Sequence, residues 1–241
     1  MLLTFLSTVL ITGASRGIGR ATAKAFADSG WDLLLLARSE GDLARLVEEI
    51  DNKKVKVFYK SIDLSNPKNI SKGVVELMNN GGLIPSVLIN NAGVAWTGDL
   101  LSMPLEKWEW IMQMNLTSIF QVCSEVVPLM RKKGGLVINV SSHASRNVFP
   151  QWGAYCVSKA ALASFTKCLA EEERKNFIRA CTLTLGSVNS SLWDSESVGM
   201  QFDRDSMLSV DQVASELLHL ASQPTNQIIE DLTLMPSAGA F

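Results

Sequence analysis

Short apolar runs alternate with amphipathic segments along the whole 241-residue chain. The runs fall at 8–12, 32–37, 55–59, 86–90, 136–140, 179–185 and 228–235. Several are apolar on both faces, as in TVLIT (8–12) and LLLLA (33–37), so both faces of such a strand must be covered. The segments between them, 17–29, 40–51, 67–79, 104–132, 151–175 and 210–221, place apolar residues at helical spacing. Strands buried on both sides and separated by helices predict an α/β architecture. We expect a doubly wound parallel sheet of about seven strands with helices on both faces. No low-complexity run, proline-rich stretch or block of like charge interrupts the alternation, so one domain over 1–241 is expected.

Composition narrows the function classes. With 22 basic and 24 acidic residues the net charge is −2, and no basic footprint marks a nucleic-acid surface. The four cysteines, Cys123, Cys156, Cys168 and Cys181, lack CxxC spacing and fit small buried residues in a reducing compartment. The apolar start, MLLTFLSTVLITG, has no basic n-region or small-residue cleavage site and is too short to span a bilayer. It reads as a first buried strand, which implies a cytoplasmic protein without a membrane partner. Two histidines and no ligand cluster leave no metal site to expect.

The first strand runs into Thr12-Gly13-Ala14-Ser15-Arg16-Gly17-Ile18-Gly19. Gly13 can adopt backbone angles closed to other residues. Gly17 lets the chain approach a pyrophosphate, and Gly19 lets the helix pack closely on the strand. The helix N-terminus adds N–H donors and the positive end of its dipole. Between a strand and a helix, this loop points to a dinucleotide and to a Rossmann-type fold. The end of the second strand reads Leu36-Ala37-Arg38-Ser39, without the carboxylate that a ribose 2′-hydroxyl would need. Arg38, with Arg16 from the loop, suits a 2′-phosphate, so NADP(H) is expected over NAD(H). The alternative is that both arginines are merely solvated.

Tyr155 and Lys159 lie four residues apart in GAYCVSKAALASF, on one face of the fifth helical segment. A free phenol, with a pKa of about 10, is a poor acid or base near neutrality. A neighbouring ammonium favours the phenolate and is expected to lower that pKa toward the working range.

With these residues in hand, the chain resembles the short-chain dehydrogenase/reductase family in its compact form, over essentially its whole length. The motifs that carry the resemblance are TGASRGIG (12–19), Asp63-Leu64, Asn90-Asn91-Ala92-Gly93, Asn115, Ser142 and Tyr155-Cys-Val-Ser-Lys159. Ser142 precedes Tyr155 by thirteen residues and Asn115 precedes it by forty. The resemblance implies that Tyr155 is the general acid in carbonyl reduction and the base in alcohol oxidation. Ser142 would hold the substrate oxygen, and Lys159 the nicotinamide ribose. Asn115 would interrupt the helix over 104–132 and anchor a water in a proton relay. It implies further cofactor contacts from Ser15, Ile18, Asp63, Leu64, Asn90, Ala92, Gly93, Gly186, Val188 and Ser190. Asp63 would accept from the adenine amino group, although a helix cap before Asn66-Pro67 explains it equally.

Two departures from the family stand out. The usual Pro-Gly after the sixth strand is Leu185-Gly186, and Ser190 must supply the hydroxyl that follows. Losing the proline predicts a looser turn beside the nicotinamide. The C-terminus lacks the Thr-Gly-Gln strand and Gly-Gly turn of β-ketoacyl-carrier-protein reductases, which argues against a role in fatty-acid synthesis. The substrate, a small carbonyl or alcohol, is expected under a lid at 187–209. Its walls are drawn from Trp96, His143, Phe149, Trp152, Trp193, Met200 and Phe202. The resemblance also implies a homotetramer or homodimer built on 104–132 and 151–175. Two rivals remain: a catalytically silent dinucleotide sensor or scaffold, and an epimerase or dehydratase. The second needs a lobe that the short stretch 187–209 does not provide.

Overall fold

The structure is a computed structural model that describes residues 7–50, 54–198 and 203–239. Asp51, Met200 and Phe202, which carried sequence expectations, lie outside the described residues.

Seven strands form one parallel sheet, β1 (Thr8–Thr12), β2 (Asp32–Ala37), β3 (Val57–Ser61), β4 (Val87–Asn90), β5 (Gly135–Ser142), β6 (Ile178–Leu185) and β7 (Asp231–Leu234). Their order is β3-β2-β1-β4-β5-β6-β7. The order reverses direction between β1 and β4, and there the loops leaving the carboxyl ends diverge and open a crevice. The five residues of β1 and the six of β2 are wholly buried, which is why their sequences show no polar alternation. β3 starts two residues later than its apolar run suggests, because Leu33 pairs with Val57 at the edge of the sheet.

Helices α1 (Gly17–Asp28), α2 (Glu40–Glu49), α3 (Pro67–Gly81), α4 (Leu105–Met112), α5 (Ser118–Met130), α6 (Gly153–Glu173) and α7 (Val210–Ala221) cover both faces. One core joins α1, α2 and α7 to the sheet through Phe26, Leu43 and Leu217; the other joins α3, α5 and α6 through Leu77, Val126 and Leu162. The predicted helix over 104–132 is broken by a π-helical turn at Gln113–Thr117. Asn115, in its middle, is fully buried and bonds outside the helix, and the extra residue of a π turn re-aims such a side chain. Ser39, Asn66 and Ser209 cap α2, α3 and α7. The cap of α3 is therefore Asn66 and not Asp63. Among the described residues no helix is long and apolar enough to cross a membrane.

Candidate functional site

The crevice at the switch point is a cleft of about 330 Å³. Its floor begins with the glycine loop. Gly13 and Gly17 take φ of 67° and 54°, in the left-handed region. A Cβ on Gly19 would stand 2.2 Å from the Gly13 carbonyl oxygen, so only glycine lets α1 start this close to β1. No side chain caps α1, so its first N–H groups are left for a ligand in the cleft. Asn91 locks the loop to β4: its Nδ2 donates to the Thr12 carbonyl at 3.0 Å, and its N–H donates to Thr12 Oγ1 at 3.0 Å. A Cβ on Gly17 would meet Ser190 Cβ at 3.7 Å, so the glycine keeps a channel open between loop and lid. Open loop, uncapped amides and side-chain-free channel together fit a pyrophosphate. Arg16 and Arg38 flank that channel, both exposed.

At the other end of the cleft three side chains converge from β5 and α6. Ser142, the last residue of β5, lies close enough to the Tyr155 hydroxyl to lower its pKa, and its Oγ accepts from the Ala144 N–H at 3.2 Å. Lys159, one turn beyond Tyr155, is buried; its ammonium donates to the Val140 carbonyl at 3.0 Å and lies 5.8 Å from the Tyr155 ring centroid. Burial pushes the Tyr155 phenol up to about 12, against a smaller lowering by Ser142. The same burial brings Lys159 down to about 8. The expected lowering of the phenol by Lys159 is thus reversed in this structure. The ammonium is held by the Val140 carbonyl beside the ring face, and desolvation dominates. Ser141, buried next to Ser142, has a hydroxyl with no hydrogen-bond partner.

Asn115 sits behind the cleft and clasps the loop after β4. It accepts from the Val94 N–H at 2.9 Å and donates to the Val94 carbonyl at 2.9 Å and to Ser158 Oγ at 3.0 Å. Ser158 donates in turn to the Tyr155 carbonyl at 2.8 Å, so Asn115 ties Val94 to the turn of α6 that bears the tyrosine.

Most of the expected site residues line this one cleft: Gly13 and Ser15 to Ile18 on the loop, Arg38, Asp63 and Leu64, Ala92 and Gly93. So do Gly186, Val188 and Ser190 at the lid, and His143, Phe149, Trp152 and Trp193 around Tyr155. Asp63 closes a turn there by accepting from the Ser65 N–H and hydroxyl. Gly19, Asn90, Trp96 and Asn115 do not line it. Asn90 is buried on the α5–α6 side of the sheet, where its amide donates to Asn139 Oδ1 at 2.8 Å. The looser turn expected at Leu185 is also corrected. Leu185 is the buried last residue of β6, paired with Ser142 and Leu234, and Gly186 donates to the Leu234 carbonyl at 2.9 Å. Sequence reasoning missed Trp110 and Met114, which face the cleft from α4 and its π turn. Their i, i+4 spacing just before Asn115 was the available signal, and it reads equally as core.

Segment 187–198 borders the Tyr155 end of the cleft. It is joined to 203–208 by a parallel bridge between Val188 and Leu208 and by Arg204, which donates to Asn189 Oδ1 and to the Ser190 carbonyl. Trp193 donates to the Val188 carbonyl at 2.7 Å and meets Trp152 edge-on at 5.8 Å; Trp152 meets Tyr155 at 5.5 Å in the same manner.

This arrangement of glycine loop, cleft and Ser-Tyr-Lys cluster agrees with what sequence comparison finds. A family model for the short chain dehydrogenases matches residues 7–200. The chain belongs to that family. It is therefore an oxidoreductase of a family that uses NAD(P). An uncharacterized oxidoreductase of Staphylococcus saprophyticus is 30% identical over 238 residues, 95% of this chain and 96% of the relative. Two solved structures share the whole fold. The alcohol dehydrogenase of the archaeon Thermococcus sibiricus, in complex with 5-hydroxy-NADP, superposes with a TM-score of 0.87 at 26% identity, covering 96% of this chain and 97% of that one. A metagenomic short-chain oxidoreductase in complex with NADP gives 0.82 at 28% identity, with the same coverage.

Proposed function

We propose that the protein is an NADP(H)-dependent oxidoreductase that interconverts a carbonyl compound and an alcohol, with Tyr155 as the proton donor and acceptor. The observation that carries this reading is the convergence of Ser142, Tyr155 and Lys159 at one end of a cleft whose other end is a phosphate-binding loop. A bound nicotinamide dinucleotide would supply or accept the hydride. The loop amides and the α1 N-terminus would hold its pyrophosphate, and Lys159 its nicotinamide ribose. The Ser142 hydroxyl would orient the substrate oxygen within reach of the phenol. Tyr155 would then deliver its proton to that oxygen in reduction and recover it in oxidation. Trp152, Trp193 and Phe149 would exclude water and favour an apolar or aromatic substrate. A silent sensor would have no use for Ser142, Tyr155 and Lys159 gathered in one cleft.

The choice of NADP(H) rests on the arginines. Among the described residues Arg20, Arg45, Arg131, Arg146, Arg174 and Arg204 pair with carboxylates, and Arg179 donates to two carbonyls. Arg16 and Arg38 have neither kind of partner, and both face the cleft. Unpaired guanidinium groups at the end of β2 suit a phosphate dianion. The NADP-containing complexes of two family members agree with this. The exposed apolar side chains Phe120 and Leu129 on α5 and Val157 on α6 likewise support self-association through these helices.

Absorbance at the NADPH band, followed against a panel of ketones and aldehydes, tests the reaction class. Tyr155→Phe should keep cofactor binding and lose turnover by about a thousandfold or more. Near-normal activity in that variant would exclude Tyr155 from the chemistry.

A further inference from the structure

Beside the cleft lies a second bay of about 430 Å³. Its walls come from five places in the chain: Arg16 on the glycine loop, Arg38 after β2, Val94 and Trp96 in the loop after β4, Lys107 and Trp110 on α4, and Glu196 in the lid. Arg16, Arg38 and Trp110 line the cleft as well, so bay and cleft meet at the two arginines. The bay is roofed. Ser197 Oγ donates to the Ala95 carbonyl at 2.6 Å, and the Thr97 N–H donates to the Ser197 carbonyl at 2.9 Å, which pins the lid to the loop after β4. Trp96 closes one side; a Cβ at Gly98 would stand 2.2 Å from its ring, so the indole lies flat against the backbone there.

Lys107 is the cation in this bay that the cofactor reading has not used. Its ammonium stands 5.7 Å from the Trp110 ring centroid, and it has no carboxylate partner among the described residues. Three cations from three elements thus face one partly enclosed space, opposed by the single carboxylate of Glu196. Such a cluster repels itself until an anion enters, and enclosure weakens the screening that water and salt provide. A phosphate held between Arg16 and Arg38 sits at the mouth of the bay. The flexible stem of Lys107 can carry its charge to the face of that phosphate which the arginines leave open.

We propose that Lys107 is a third cation of the cofactor's 2′-phosphate site and that Glu196 opposes it from the lid. The inference rests on the NADP(H) reading and deepens it: discrimination against NAD(H) is shared among the glycine loop, β2 and α4. Lys107 and Glu196 are specificity-determining residues with opposite signs.

The test is calorimetric titration of 2′,5′-ADP and of 5′-ADP into the full-length protein, which needs no turnover. Wild type should bind 2′,5′-ADP more tightly than 5′-ADP. Lys107→Gln should weaken 2′,5′-ADP by roughly three- to tenfold, leave 5′-ADP unchanged and flatten the salt dependence. Glu196→Gln should tighten 2′,5′-ADP by roughly two- to fivefold. If Lys107→Gln retains the full preference, or weakens both nucleotides equally, Lys107 has no part in 2′-phosphate recognition, while the NADP(H) reading stands. If Glu196→Gln changes nothing, its opposing role is refuted. If wild type shows no preference at all, the NADP(H) reading itself fails. Melting temperatures of the variants confirm that they are folded.

Discussion

Desolvation holds the Tyr155 phenol at about 12 and brings Lys159 down to about 8. At neutral pH the phenol is therefore protonated and the ammonium largely charged. In the proposed reaction carbonyl reduction needs the protonated phenol, so its kcat/KM should stay level through neutrality. Alcohol oxidation needs the phenolate, so its kcat/KM should climb as pH rises from about 6 to about 10. Steady-state profiles in both directions check this, and an oxidation rate that falls with pH would rule out Tyr155 as the base. At this scale the sequence was informative where function depends on local spacing. Tyr155 and Lys159 share a helical face by arithmetic. It was not informative for Asn90, whose side chain is claimed by Asn139 across β4 and β5, a pairing forty-nine residues away in the chain.

Between elements, α5 and α6 are tied at their C-terminal ends by Arg131 and Glu173, through a two-pronged contact of 2.8 and 2.5 Å. Glu173 is buried, and the Arg131 guanidinium beside it holds its carboxyl below the ordinary value of 4.5. The folded-state pKa lies below the unfolded one, so the pair stabilises fully above about 4.5 and loses its effect as pH falls through the folded value. Glu173→Gln should lower unfolding stability by about 1 kcal/mol at neutral pH, since Arg131 is half exposed. Urea denaturation of both proteins should give curves that converge below pH 4.5 or so. The interruption of the helix over 104–132 was legible as an asparagine in an apolar stretch. That it takes the form of a π turn depends on Val94 and Ser158, which meet Asn115 only in the folded chain.

For the molecule as a whole, the cleft is framed by pieces as far apart as Gly13 and Trp193. A ligand that binds only this assembled site stabilises the fold by mass action. NADP⁺ at a hundred times its Kd should contribute about 2.7 kcal/mol and raise the melting temperature by about 5–10 °C. NAD⁺ at the same concentration should raise it less. Equal shifts in a thermal-shift assay would count against the roles of Arg16 and Arg38.

The alternation of apolar runs with helical segments determined the fold class, because burial on both faces leaves a strand no alternating polar face, as β1 and β2 illustrate. The glycine loop and the Tyr155–Lys159 spacing were equally local, since each works within one turn or one helix. What only the tertiary structure decided is the environment of those groups. Desolvation, which depends on every neighbour, set the phenol above its ordinary pKa although the sequence suggested the opposite. The strand pairing of Leu185 replaced the loose turn that loss of a proline implied. Chain crossings that no spacing reveals brought Lys107 and Glu196 to the bay beside Arg16 and Arg38.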